Sequence, residues 1–330
     1  MNSLEPLEHK VSRVEKLKVE ALSREHQLSH LPKNSYCEAC QMGKMKEKNA
    51  RRSGFKRELT EWGEIITCDH VYSASVSALG LNGETESFVI KDTWSGLLHS
   101  FPVVSKSSLH VVHCIQQFVG DRKVQTLYSD NAKEFMGSLM MARDGGQPGV
   151  PHTNGIIERC NVIGGTTTCL IAAGLPPCYW TYGSPCFCFN LNTLSLRGES
   201  PWEKTHGVAF HGQRFPFGGK VMFKPSGVRT TGEKWSPKGE WGIFAGYKIS
   251  PGYKWRGEYL VWSLSEFRRS DLMVTTTKHK QRGFASPYPT KVVELPEGQI
   301  GFPLKAGYDR VNSSLFDPSV VDRDDGAIVM

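Results

Sequence analysis

Two histidines and two cysteines near the N-terminus constrain strongly what this part of the chain can fold into. His26 and His30 are four residues apart, and Cys37 and Cys40 form a C-x2-C pair shortly afterwards. Histidines at this spacing lie on one face of a helix, and C-x2-C presents two thiolates from a tight turn. Imidazole and thiolate are the ligands that tetrahedral Zn²⁺ prefers. The pattern predicts a closed, structural zinc site; the competing interpretation is a chance pair of histidines near two free cysteines.

The charged residues are distributed unevenly along the 330-residue chain. Met42–Arg57 carries seven Lys or Arg and one Glu, and Phe215–Arg256 carries eight basic and two acidic residues. Between them, Leu59–Gln213 carries nine basic and thirteen acidic residues. An acidic middle segment between two basic segments favours a protein that binds a polyanion through the basic segments. The carboxylates of the middle segment would then act on that polyanion. Solvated surface charge is an equally good explanation of the charges taken alone.

The composition indicates a globular chain without membrane partners. The sequence contains no run of about 18 apolar residues, so it predicts no transmembrane helix. The N-terminus also lacks the apolar region of a secretory signal. Nine cysteines, an odd number without a framework spacing, fit reduced thiols. We therefore expect an intracellular protein.

Short apolar runs after Glu64 predict a mixed α/β sheet. The segments EIITCDHV, ESFVIKD, LLHSFPVV and VQTLYSD are rich in β-branched residues and are typical of strands. A helix is predicted between the third and fourth strands, and a second one from about Asn154 to Gly174. The apolar positions at helical spacing in the first helix are Leu109, Val112, Ile115 and Val119.

After residue 213 the pattern changes to short strands separated by Gly and Pro, which predicts a small β-barrel. The sequence thus divides into five parts. They are a charged lead-in (1–25), a zinc-binding module with a basic linker (26–57), an α/β core (58–213), a β-barrel (214–272) and a tail (273–330).

Three carboxylates fall where a mixed sheet can bring them together. Asp69 lies within the first predicted strand, Asp130 at the end of the fourth, and Glu158 in the first turns of the second helix. Adjacent carboxylates repel one another unless cations neutralise them, and Mg²⁺ or Mn²⁺ does so with oxygen ligands. Two such ions about 4 Å apart assist phosphoryl transfer. Taken alone, three acids among thirty-three favour a solvated surface, and only their sequence context favours a metal site.

That context resembles the integrases of copia-type long-terminal-repeat retrotransposons over roughly residues 26–271. The similar segments, in the family's order, are CEACQMGKMKEK, IITCDHVYSASVSALG, SDNAKEF, PHTNGIIER, AAGLPPCYW and WGIFAGYKISPGYKWRGEYLVWSL. The resemblance implies a ribonuclease-H-like core with a metal-bound triad of Asp69, Asp130 and Glu158. It also implies a preceding zinc-binding module, a following SH3-like β-barrel, and an origin in a retrotransposon polyprotein.

The activity that the resemblance implies is polynucleotidyl transfer: the 3′ ends of the element's DNA are trimmed and then joined to target DNA. The implied cofactors are Mg²⁺ or Mn²⁺ for catalysis and Zn²⁺ for structure, and the implied partner is DNA. We expect a nuclear location from this substrate and a homo-oligomer because two DNA ends are joined. The candidates for nucleic-acid contact are Lys133, Asn154, Arg159, Lys220, Lys224, Lys234 and Lys238. Asn154 serves equally well as a helix N-cap.

Two departures from the family's pattern bear on activity. Only 27 residues separate Asp130 from Glu158, which is fewer than in the family. The residues that are missing relative to the family fall where a fifth strand is expected. Gly164 and Gly165 lie inside the second predicted helix, where each glycine costs about 1 kcal/mol relative to alanine, which predicts fraying or a kink. Three functions therefore stay open: a metal-dependent integrase, a catalytically inactive nucleic-acid-binding remnant, and a ribonuclease-H-type nuclease acting on RNA–DNA hybrids.

Overall fold

Three short helices form the N-terminal module of the computed structural model: α1 (Arg13–Leu22), α2 (Arg24–Ser29) and α3 (Glu38–Gly43). Ser12 begins α1 with a capping box, in which the Glu15 amide donates to the Ser12 hydroxyl and the Ser12 amide donates to the Glu15 carboxylate. The structure describes residues 12–44, 58–73, 79–129, 147–148, 161–196, 198–225, 235, 237–267, 286–298 and 300–316.

Five strands form the central sheet. They are β1 (Ile66–Tyr72), β2 (Glu86–Asp92), β3 (Leu98–Val103), β4 (Thr126–Tyr128) and β5 (Gln147–Pro148). Their order is β3-β2-β1-β4-β5; β1, β2 and β3 are antiparallel neighbours, while β4 runs parallel to both β1 and β5. Helix α4 (Ser108–Val119) connects β3 to β4. This order and these directions are those of a ribonuclease-H-like sheet, so the predicted mixed α/β class is confirmed.

The fifth strand corrects one expectation. The short spacing between Asp130 and Glu158 predicted that this strand would be missing. Two residues, Gln147 and Pro148, nevertheless pair in parallel with Thr126 and Leu127 of β4. The segment between Asp130 and Glu158 therefore contains a minimal fifth strand, because two residues suffice to continue the ladder.

Helices α5 (Val162–Ala173) and α6 (Trp180–Thr193) pack against each other beside the sheet, with a 3₁₀ turn, Pro177–Tyr179, between them. The helix predicted from Asn154 begins in the described chain only at Val162, because Asn161 has a left-handed φ of 52°. It ends before Gly174 as predicted. No single described helix is long and apolar enough to cross a membrane; α5 and Pro177–Thr193 qualify only as a pair, bent by 118°.

A second sheet follows helix α7 (Pro201–His206) and is antiparallel throughout. Its strands are β6 (Lys220–Phe223), β7 (Glu240–Ser250), β8 (Lys254–Ser263), β9 (Tyr288–Thr290) and β10 (Val293–Glu294), in the order β10-β6-β7-β8-β9. The helices α8 (Leu264–Phe267) and α9 (Lys305–Phe316) complete the described elements. The strands β9 and β10 are consecutive in sequence, yet β9 pairs with β8 and β10 pairs with β6 at opposite edges of the sheet, so the sheet curls. An SH3-like barrel stays a prediction.

One hydrophobic core joins both sheets. Buried residues of β1, β2, α6, β7 and β8 belong to a single cluster. Trp262 of β8 is fully buried, with its ring centroid 5.5 Å from that of Tyr179 and 5.1 Å from that of Tyr182. The N-terminal module has a small cluster of its own, which includes Ala172 of α5. The predicted domain boundaries therefore stay a proposal, since packing crosses them.

Candidate zinc centre and candidate active site

The four predicted zinc ligands come together at the junction of α2 and α3. His26 lies within α2, and His30 ends that helix with a left-handed φ of 53°. Cys37 is the N-cap residue of α3, and Cys40 lies one turn later. All four side chains are buried, and their ligand atoms lie within 4.8 Å of one another. This is the only such metal-ligand group among the described residues.

The distances within this group fit a tetrahedral ion. Cys40 Sγ lies 3.4 Å from His26 Nε2, and Cys37 Sγ lies 3.5 Å from His30 Nδ1. Zinc bonds of about 2.3 Å to sulphur and 2.05 Å to nitrogen at a tetrahedral angle place those atoms about 3.6 Å apart. Both cysteines are free thiols. The residues present therefore fit Zn²⁺, and the identity of the ion stays a prediction.

The electrostatics of the group also suit a metal. Burial lowers the pKa of His30, which keeps its ring neutral and able to bind a cation. A hydrogen bond with the Cys37 thiol lowers the pKa of Cys40, and hydrogen bonds with the two histidines lower it further. The hydrogen bond between the two cysteines raises the pKa of Cys37. The Cys40 thiol therefore ionises more readily than that of Cys37, and a bound cation would favour the thiolate form of both.

Lys44 is a residue of this centre that the sequence reasoning missed. Its ammonium group is buried beside the cysteines and donates a hydrogen bond to the His30 carbonyl oxygen. Burial lowers its pKa, while the neighbouring Cys40 thiolate opposes that change. The available signal was its position, four residues after Cys40 at the start of the basic run.

Of the predicted catalytic triad, Asp69 is described. It lies in the middle of β1 opposite Val89 of β2, is half-buried, and accepts a hydrogen bond of 2.8 Å from the His70 amide. The last described pair of the parallel β1–β4 ladder is Thr67 and Tyr128. Asp69 is two residues beyond that pair on one strand, and Asp130 is two residues beyond it in sequence on the other. Asp130 and Glu158 lie outside the described residues.

Three of the predicted nucleic-acid contacts are described, all in or beside the second sheet. Lys220 is half-buried, with its Nζ 4.2 Å from the ring centroid of Trp241. Lys224 and Lys238 are exposed. Trp241 is 42% exposed, so this edge offers an aromatic ring together with cations. The remaining candidates, outside the described residues, are Lys133, Asn154, Arg159 and Lys234.

Comparisons with known proteins give likenesses to solved structures alone. No protein-family model matches the sequence, and no curated protein matches it. The catalytic core domain of BIV integrase is similar at 20% identity and a TM-score of 0.31, over 43% of this chain and 92% of that one. The HTLV-2 integrase catalytic core domain, in a trimeric form with magnesium, is similar at 18% identity and a TM-score of 0.34. That match covers 46% of this chain and 100% of the other.

Proposed function

We propose that this chain is a metal-dependent DNA strand-transfer enzyme of the integrase type, encoded by a copia-type retrotransposon. The observation that carries the proposal is the position of Asp69 in the central strand of a ribonuclease-H-like sheet. A half-buried carboxylate is uncommon in the middle of such a strand, where apolar residues are usual. The parallel register with β4 supports a partnership with Asp130, the residue that the sequence assigns to the same edge.

In this proposal Asp69, Asp130 and Glu158 hold Mg²⁺ or Mn²⁺. The bound ions would supply activation of the attacking oxygen and stabilisation of the leaving oxygen in phosphoryl transfer. The chain's own part is to bring three carboxylates to one edge and to orient them. The hydrogen bond from the His70 amide to Asp69 Oδ1 contributes to that orientation.

The zinc module and the second sheet would serve as flanking DNA-binding elements. Four protein ligands leave no open position on the proposed Zn²⁺, so its role is structural. Lys220, Lys224 and Lys238 would contact phosphates from the second sheet, which has the predicted place of the SH3-like barrel. Action on DNA would place the protein in the nucleus, and the joining of two DNA ends favours a homo-oligomer.

A strand-transfer assay on labelled DNA ends tests this proposal. Wild type is compared with Asp69→Asn and Asp130→Asn, in Mg²⁺ and in Mn²⁺. Asp121→Asn is the matched control, since that carboxylate is almost fully exposed and lies 3.8 Å from the Lys254 ammonium group. We expect joined products from wild type and the control, and a loss of roughly a hundredfold or more in the two test variants.

The second candidate is a DNA-binding remnant without catalysis. Two observations favour it: the 27-residue spacing before Glu158, and the start of α5 at Val162 after the left-handed Asn161, later than the helix that was predicted to carry Glu158. Zinc-loaded wild type that binds DNA and yields no joined products with either ion would establish this alternative. Hydrolysis of RNA–DNA hybrids without joining would instead establish the nuclease.

A further inference from the structure

A cavity of about 250 Å³ lies between the central sheet and the helices α5 and α6. Three serines line it at buried positions: Ser87 on β2, Ser100 on β3 and Ser184 on α6. Serine is much smaller than the apolar residues that normally fill the space between a sheet and its helices. The cavity therefore exists because small hydroxyl residues occupy these positions.

The serine hydroxyls form a directed chain. Ser100 donates to Ser184 Oγ at 2.8 Å, so the hydrogen between Ser87 and Ser100 comes from Ser87. Ser184 accepts at the end of this chain, and its own hydrogen is not used within the chain. The chain thus ends in a hydroxyl group that can donate a hydrogen bond to a ligand.

Thr166 on α5 offers a second hydroxyl. It is 5% exposed, lines the cavity, and its Oγ1 has no hydrogen-bond partner among the described residues. Its neighbour Thr168, by contrast, donates to the Gly164 carbonyl oxygen at 2.6 Å. A buried hydroxyl group without a partner costs free energy, so this position indicates a missing partner.

The cavity lies next to the proposed catalytic edge. Val71 and Val89 line it, Val89 is the register partner of Asp69, and Val71 is two residues further along the same face of β1. Tyr72 and Trp180 supply aromatic rings to its lining. The Lys106 Nζ lies 3.9 Å from the centroid of the exposed Tyr72 ring, so a cation accompanies the apolar cavity.

We propose that this cavity accepts one unpaired nucleobase of a DNA strand bound at the Asp69 edge. The inference rests on the proposed function and names a substrate feature of that site. The volume lies just below the roughly 300 Å³ at which pockets for drug-sized ligands begin, which suits a single flat ring system. Hydroxyl groups donate and accept, so Thr166 and Ser184 suit the edge of any base. The charge of Lys106 complements the phosphate attached to that nucleotide. Stacking on aromatic rings favours a base that lies outside a duplex.

Fluorescence anisotropy with two DNA duplexes tests the proposal on the full chain. One duplex carries a single unpaired 3′ nucleotide, and the other carries an abasic unit at that position. Both are measured with EDTA-free buffer and without Mg²⁺ or Mn²⁺, so that no strand transfer is required. We expect wild type to bind the base-bearing duplex roughly tenfold more tightly.

Two variants assign that preference to the cavity. Ser184→Leu fills the space, and we expect the affinity ratio to fall towards one. Thr166→Val keeps the shape and removes a hydroxyl group that has no described partner, so it should fold at least as well and lower the ratio roughly threefold. Ser195→Leu is the matched control, because Ser195 is exposed and outside the cavity lining, and it should keep the wild-type ratio.

The other possible outcomes overturn the proposal, and each one shows whether the base pocket, its location or DNA binding itself is wrong. Equal affinities of wild type for the two duplexes would overturn the base pocket and leave DNA binding intact. A ratio that survives in folded Ser184→Leu and Thr166→Val would assign base recognition to another surface. Failure to bind either duplex would overturn the proposed function together with this inference.

Discussion

Gly165 lies where α5 crosses the ring of Phe187 on α6. A Cβ atom at this position would be 2.2 Å from Phe187 Cζ, and Phe187 is itself buried. The two glycines that predicted a frayed or kinked helix therefore have different roles. Gly165 permits close packing of α5 on α6. At Gly164 the atom nearest to an added Cβ is Oδ1 of Asn161, the end of a side chain at the helix start.

This difference predicts opposite effects for two adjacent substitutions. Gly165→Ala should lower the free energy of unfolding by about 2 kcal/mol, since overpacking outweighs the helix propensity gained. Gly164→Ala, the matched control, should be neutral or stabilise by up to about 1 kcal/mol. Urea unfolding of both variants measures this. Equal effects of the two substitutions would contradict the packing role of Gly165.

Among the elements, α4 illustrates how one helix offers two apolar stripes. The stripe predicted from the sequence includes Leu109, which is 70% exposed in the structure. The buried residues are Val111, Cys114, Phe118 and Val119, of which Val119 alone belongs to the predicted stripe. Both stripes have helical spacing, and the structure uses the one that places Phe118 against Tyr253, with ring centroids 6.0 Å apart. Neighbouring elements from distant sequence decided which face is buried.

Helices α2 and α3 have six residues each, which is too short for a helix to be stable alone in water. We therefore expect their folding to depend on zinc. Cys40→Ser should abolish stoichiometric zinc and remove amide-exchange protection from residues 24–43. Cys178→Ser, a buried thiol outside the cluster, should retain both.

Zinc content per chain and hydrogen exchange measure the two quantities. Acidification should release the ion from wild type, since protons compete for the thiolates and imidazoles. A wild-type chain that purifies without zinc and keeps α2 and α3 protected would contradict a structural metal.

At the scale of the whole molecule, Asn190 of α6 links all three parts of the fold. Its fully buried amide donates to the Leu28 carbonyl of the N-terminal module at 3.1 Å and to the Phe215 carbonyl at 3.0 Å. Its own carbonyl accepts from the Tyr247 hydroxyl of the second sheet at 2.8 Å. The module, the central sheet and the second sheet are therefore coupled through one side chain and one continuous core.

Asn190→Ala should lower the free energy of unfolding by about 3 kcal/mol, because three buried groups lose their partner at about 1 kcal/mol each. The zinc module and the second sheet should lose stability together, which hydrogen exchange on each part would show. Asn82→Ala, in an exposed turn, should change stability by less than about 0.5 kcal/mol. Destabilisation confined to one part would contradict the coupling.

The sequence by itself determined the cluster of two histidines and two cysteines and the first four strands of the central sheet. His26, His30, Cys37 and Cys40 were predictable because metal-ligand chemistry permits few residue types and the four lie close in sequence. The strands were predictable because alternation and β-branched residues act locally. The same local logic assigned Asp69 to the interior of a strand.

Only the tertiary structure decided what depends on contacts between distant segments. The close approach of Gly165 to Phe187, the buried face of α4, and the amide of Asn190 each depend on neighbours that no local pattern specifies. The start of α5 at Val162 likewise follows from a left-handed residue, Asn161, within a sequence that reads as continuous helix. The cavity beside Asp69 has the same origin, since three serines far apart in sequence leave space only when the sheet and α6 meet.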